Sequence, residues 1–137
     1  MRVTTTLHFD GRCAAAFEFY EERLGAKLEF ALTWGDSPMA DQAPPEWGGK
    51  ILHARLRIGD TELVGGDIPH GQHQEPRGFS ILLGIDDPEE AGRTFAALAE
   101  GGTVKVPIHE TFWAVRYGMV VDRFGIPWEV NCEQPQS

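Results

Sequence analysis

The side chains of this chain that could do chemistry are few, and most stand in stretches that alternate like strands. Glu129 lies between Trp128 and Val130, where a carboxylate is costly to bury unless it is paired. It reads as a general base, as an anchor for a cationic or hydroxyl group of a ligand, or as the partner of Arg55, Arg57 or Arg116 in a structural ion pair. His8 is the candidate acid–base partner near neutral pH; the other reading of His8, and of His53, is a hydrogen-bonded core histidine. Arg55 and Arg57 alternate with apolar residues and so face one way together. They suit bidentate binding of a carboxylate or phosphate, or a solvated face with an ion pair to Glu62. Trp34, Trp47, Trp113 and Tyr117, with Arg116 beside the last two, suit the wall of a small-molecule pocket; alternatively Phe112 and Trp113 plug the core. His70 and His73 sit in flexible polar sequence, a poor setting for a metal.

The elements that must carry these groups form a unit written twice. Phe9-Asp10-Gly11, a helical run and Gly25-Ala26-Lys27-Leu28 in the first half match Ile85-Asp86-Asp87, a helical run and Gly101-Gly102-Thr103-Val104 in the second. An offset of 76 positions aligns Asp10 with Asp86, Phe19 with Phe95, Gly25 with Gly101 and Leu28 with Val104. The alternation predicts strands over 3–9, 27–33, 51–58 and 61–65 in the first half, and over 79–85, 103–106, 114–121 and 128–132 in the second. Helices are expected over 12–24, with Cys13, Phe17, Tyr20 and Leu24 inward, and after Asp87-Pro88-Glu89-Glu90, with Ala91, Phe95 and Leu98 inward. Residues 34–50 read as a long loop rich in Pro and Gly, either a flap over an apolar cavity or a surface excursion pinned by its aromatics. Each half is therefore β-α-β-β-β, and two copies of one unit imply a pseudo-symmetric fold with a cleft between them.

Composition sets the outer limits. A chain of 137 residues with 42% apolar residues is long enough for one domain with a core; we expect a single domain over 1–137, with repeats at about 1–68 and 78–133 and a linker over 69–77. The formal net charge of -9 disfavours nucleic acid and anionic membranes as partners. No apolar run approaches the roughly 20 residues of a membrane span, and the first residues read as a strand rather than a secretory signal. Cys13 and Cys132 have no framework spacing, so reduced thiols in a cytoplasmic protein are expected.

Two tandem β-α-β-β-β units resemble the vicinal oxygen chelate superfamily of glyoxalase I, extradiol dioxygenases and the bleomycin- and fosfomycin-resistance proteins. The likeness is to its PhnB-like, glyoxalase-like branch. It is carried by Phe9-Asp10-Gly11 with Ala16-Phe17-Glu18-Phe19-Tyr20, by His53-Ala54-Arg55-Leu56-Arg57-Ile58-Gly59-Asp60-Thr61, by Leu98-Ala99-Glu100-Gly101-Gly102, by Glu110-Thr111-Phe112-Trp113, and by Tyr117-Gly118-Met119-Val120-Val121-Asp122-Arg123-Phe124-Gly125-Ile126-Pro127-Trp128. Part of that branch carries a demethylubiquinone methyltransferase label; no glycine-rich nucleotide loop follows a strand here, so methyl transfer is not expected. The resemblance implies an α+β fold of curved mixed sheets around a cavity, and a homodimer. Metal-dependent members place one ligand on each of four strands, at positions that fall here at Thr4 (or Thr5), Val64, Ser80 and Glu129. Only Glu129 matches, so the inherited metal site is expected to be lost. A divalent metal relocated to His8, His53 and Glu62 with Glu129 is the alternative. The leading expectation is a small-molecule-binding protein oriented by Glu129, His8 and an arginine. The others are an enzyme of the lyase, isomerase or dioxygenase type using Glu129 as base, and a non-catalytic dimeric interaction protein.

Overall fold

A computed structural model describes residues 1–69 and 71–134. The fold is α+β, in the order β1 (Thr5–Phe9), α1 (Cys13–Leu24), β2 (Lys27–Thr33), β3 (Ile51–Ile58), β4 (Thr61–Asp67), then β5 (Ile81–Gly84), α2 (Pro88–Ala99), β6 (Thr103–His109), β7 (Ala114–Val121) and β8 (Pro127–Glu133). The strands form two four-stranded mixed sheets, ordered β1-β4-β3-β2 and β5-β8-β7-β6. In each, the first strand runs parallel to the last and the other pairs are antiparallel. The chain divides into two compact units between Gln74 and Glu75. Among the described residues no helix is long and apolar enough to cross a membrane.

Each unit packs its helix on one face of its sheet and leaves the other face open. In the first unit Leu7, Phe9, Phe17, Tyr20, Ala54 and Leu56 are buried between helix and sheet. Gly65 lies on that side: a Cβ there would overlap the Phe17 ring and come within 3.2 Å of the Cys13 Sγ. In the second unit Ala91, Phe95 and Leu98 pack against Val120, Trp128 and Val130, and a Cβ at Gly118 would stand 2.8 Å from the Phe95 ring. Alternation then sends Arg55 and Val64 to the open face of sheet one, and Tyr117, Met119 and Glu129 to the open face of sheet two.

The two helices are capped by different means. Asp87 caps α2 from its own chain end, accepting from Glu90 N–H at 3.1 Å with Pro88 at the first position. Helix α1 has no side-chain cap of its own. The N–H of Cys13 at its first position, and that of Gly11 just before the helix, are instead met by Asp67 Oδ1 from the end of β4, at 3.0 and 2.9 Å. Asp67 Oδ2 accepts from Ile51 N–H at 2.9 Å, and its main-chain carbonyl accepts from the Trp34 indole at 3.1 Å. This is why β4 runs to Asp67 and not only to residue 65: its paired glycines are close-packing positions of a strand. Strand β6 likewise passes through Pro107 to His109, where the sequence predicts an end at 106; as an edge strand it has no ladder bond to lose on its outer side. Residues 34–50 contain two short 3₁₀ turns, Ala40–Gln42 and Pro45–Trp47. Their base is closed by Trp34 N–H to Lys50 O and Gly35 N–H to Gly48 O.

Candidate functional site

The open face of the second sheet gathers the most chemistry. Glu129 on β8 is half-buried, and both its oxygens accept from neutral hydroxyls. Ser80 Oγ donates to Oε2 at 2.6 Å, and the Tyr117 hydroxyl on β7 donates to Oε1. Among the described residues of the second unit no cation pairs with Glu129, so the partners of its oxygens are neutral hydroxyls. The surroundings push the Tyr117 hydroxyl up to about 12, first through desolvation, then through its hydrogen bond to Glu129 and the carboxylate charge. Trp113 meets Tyr117 edge-on at 5.2 Å between ring centroids, and its indole donates to Asn131 Oδ1 at 3.1 Å. The His109 ring stands edge-on to Tyr117 at 6.4 Å, and its Nδ1 lies 2.8 Å from Pro107 O.

The β7–β8 hairpin sets this register. Buried Asp122 accepts from Phe124 N–H at 2.8 Å, Ile126 N–H at 3.0 Å and the Trp128 indole at 2.9 Å, and Gly125 turns the chain at φ 87°. Met119 then lies opposite Glu129 and Tyr117 opposite Asn131, so Tyr117 reaches Glu129 on the diagonal.

Of the residues singled out from sequence, Glu129, Tyr117 and Trp113 come together here. Arg116, one position from Tyr117, lies opposite Cys132 on the other face and turns to Val115 O at 2.7 Å. Phe112 and Trp113 do not plug the core: they lie in the connection between β6 and β7 and are 92% and 43% exposed. From sequence Ser80 stands out only as an inherited ligand position, and neither Asn131 nor His109 stands out at all. Asn131 was available as the residue two beyond Glu129 on the same face; His109 fell outside the predicted strand.

The remaining candidates belong to the first unit. His8 is exposed on β1. His53 and Arg55 both lie against Phe30, at 5.9 Å between rings and 5.3 Å from guanidinium to ring. Arg57 pairs with Glu29 at 3.2 Å and Glu62 at 3.8 Å. Trp34 is buried and pinned to Asp67, and Trp47 is half-buried beside Gly11. A polar depression of about 390 Å³ opens beside Arg2, Thr4, Arg57 and Glu62; none of the aromatic candidates lines it. His70 lies outside the described residues.

The four inherited ligand positions do not suit a metal. The sheet registers make Val64 the counterpart of Glu129, since Thr6 faces Val64 as Leu82 faces Glu129. Val64 offers no donor, Thr4 and Ser80 offer poor ones, and Glu129 already spends an oxygen on each of two hydroxyls. Within either unit, no three described His, Cys, Asp or Glu residues are grouped to hold an ion. Glu62, one member of the relocated set, is engaged by Arg57.

Comparison with known proteins agrees with the topology. The pattern of the Glyoxalase/Bleomycin resistance protein/Dioxygenase superfamily matches residues 2–130. Protein YjdN of Escherichia coli K12 is 31% identical over 144 residues, covering 99% of this chain and 98% of its own. The crystal structure of protein PA1353 from Pseudomonas aeruginosa is 44% identical with a TM-score of 0.86, covering 98% and 99% of the two chains. A putative 3-demethylubiquinone-9 3-methyltransferase, PhnB protein, from Bacillus cereus is 20% identical with a TM-score of 0.79 over 96% and 99%, a likeness of fold alone. The chain belongs to the Glyoxalase/Bleomycin resistance protein/Dioxygenase superfamily.

Proposed function

We propose that this member of the superfamily binds a small organic molecule on the open face of its second sheet, without the family's metal. Glu129 anchors a cationic or hydroxyl group of the ligand, and Trp113 and Tyr117 pack against its body. The observation that carries this reading is a carboxylate held in place by two neutral hydroxyls and matched by no described cation of its own unit. Ser80 and Tyr117 fix the direction of the oxygens, so a ligand ammonium meets an ordered charge, and such a charge-assisted bond contributes about 1.5–3 kcal/mol. The exposed ring of Trp113 offers an edge and face for apolar or cationic packing.

Tryptophan fluorescence titrated with a panel of organic amines and polyols tests the proposal. We expect saturable quenching by at least one class, lost in Trp113→Ala and weakened about tenfold or more in Glu129→Gln. Flat titrations across the panel, or quenching that Glu129→Gln leaves unchanged, overturn it. The family likeness also supports a homodimer as the working form, which light scattering on the purified protein checks, and the free Cys13 and Cys132 support a reducing compartment such as the cytoplasm. The same Tyr117–Glu129 contact supports a metal-free acid–base catalyst as a second reading, since the carboxylate already shares a proton-bearing contact with a hydroxyl. Turnover of a bound compound that survives Glu129→Gln undiminished would rule that out.

A further inference from the structure

The first unit presents a different surface at the matching place. Across its open face Thr6, Val64, Arg55 and Phe30 stand in one row, each opposite the next. Arg55 and Arg57 both rise from β3 on this side, yet their surroundings differ. Arg57 is neutralised by Glu29 and Glu62. Arg55 forms no ion pair with a described carboxylate of its own unit, although the charge of Glu29 reaches it; its guanidinium lies over the Phe30 ring at 5.3 Å. The His53 ring also lies against Phe30, at 5.9 Å between centroids. Phe30 itself is 40% exposed.

We infer that Arg55, Phe30 and His53 form a second binding site, one for an organic oxyanion: a carboxylate or phosphate carried on an aromatic or apolar body. Stacking on Phe30 leaves the edge of the guanidinium fork free, and this is the geometry that takes an oxyanion bidentately. It also restrains a long side chain before any ligand arrives, which lowers the ordering cost of binding. His53 adds a ring N–H donor. Val64 stands opposite Arg55, where the second unit carries Glu129, and the carboxylates nearest on this sheet, Glu29 and Glu62, are both held by Arg57. The exposed Phe30 ring and Val64 supply apolar surface for the body of the ligand. A protein with a formal net charge of -9 repels anions in general, so binding here requires a local, built feature. None of these observations involves Glu129 or the ligand proposed for it.

The test is an NMR titration of the full chain with benzoate, phenyl phosphate, acetate and inorganic phosphate, read at the Arg55 Nε–Hε and Phe30 ring signals. We expect saturable shifts with the two aromatic probes. Arg55→Gln weakens them at least about tenfold and Arg55→Lys by a smaller factor, since lysine keeps the charge but not the planar fork. Arg116→Gln leaves them unchanged. Arg55 is exposed, and the amide fingerprint of each variant establishes that it is folded. No shift at these signals with any probe, or wild-type affinity in Arg55→Gln, overturns the site. Acetate or inorganic phosphate binding as tightly as the aromatic probes overturns the role given to Phe30.

Discussion

Asp67 is the residue whose removal the first unit is least able to absorb. It is 3% exposed and its carboxylate accepts three main-chain N–H groups from two separate segments, the start of α1 and the start of β3. In Asp67→Asn the amide oxygen can keep the pair at Gly11 and Cys13, but the NH₂ then faces the Ile51 N–H, donor against donor. One orphaned buried N–H costs about 1–3 kcal/mol, and two charge-assisted bonds become neutral ones at about 1 kcal/mol each. Relief from burying a charge offsets part of this, leaving a net loss of about 2–4 kcal/mol. Asp67→Ala orphans all three N–H groups and leaves α1 uncapped, so the loss is larger, about 3–6 kcal/mol, against a total of roughly 5–15 kcal/mol for a domain. Urea unfolding followed by tryptophan fluorescence gives the ranking. Hydrogen exchange at the Gly11, Cys13 and Ile51 amides gives the location, with protection lost there first. An alanine variant within about 1 kcal/mol of wild type, or exchange unchanged at those three amides, would refute the argument.

Three further outcomes follow from the same geometry. Tyr117 is raised to about 12 by desolvation and by Glu129, above its value in an unfolded chain, so its contribution to stability is complete below about pH 10 and is lost as pH rises through the folded value; ultraviolet titration should show its phenolate appearing late, and earlier in Glu129→Gln. Gly118→Val places side-chain carbon against the Phe95 ring, where even a Cβ would stand at 2.8 Å, and should destabilise by about 1–3 kcal/mol in thermal unfolding, while Gly84→Ala, with open space around its Cβ, should not. Burial and the nearby Asp67 charge push the Cys13 thiol up to about 12, so it should resist an aromatic disulfide reagent at pH 8 until the protein is unfolded in urea.

Much of the framework was legible because it is written in periodicity. Strands β2, β3 and β7 have the bounds that alternation predicts, and Asp87-Pro88 announces α2. The 76-residue offset holds from β1 and β5 through β2 and β6. It fails afterwards because residues 34–50 have as their counterpart only residues 110–113 between β6 and β7. What was hidden is what depends on tertiary partners. Gly65-Gly66 resembles a strand end unless the Phe17 ring is known to lie against it, and with the strand cut short Asp67 could not be seen as the cap of α1. Glu129 and Tyr117 were each visible, but their contact depends on a hairpin register that Asp122 sets through main-chain bonds. The opposite faces of Arg116 and Tyr117, by contrast, follow from alternation alone and were there to be read.

The choice between a ligand anchor and structural glue at Glu129 can be made without any ligand, because the partners are hydroxyls. A carboxylate that balances an arginine cannot be neutralised without leaving a cation unpaired, and breaking such a buried pair costs about 3–5 kcal/mol. Ser80 and Tyr117 are not bound in that way. Each hydroxyl can donate or accept, so in Glu129→Gln one continues to donate to the amide oxygen while the other rotates to accept from the NH₂. Both contacts survive in neutral form, and half-burial keeps the desolvation change small. The expected loss is therefore below about 1 kcal/mol, whereas Tyr117→Phe, which removes a partner outright, should lose about 1–2 kcal/mol. Urea unfolding of the two variants decides it. If Glu129→Gln loses more than about 2 kcal/mol, the negative charge itself holds the second sheet together, and the case for an anchor free to receive a ligand's ammonium loses its foundation. If the charge can be removed at almost no cost in stability, the fold has no use for it, and a group outside the fold is what it is there to meet.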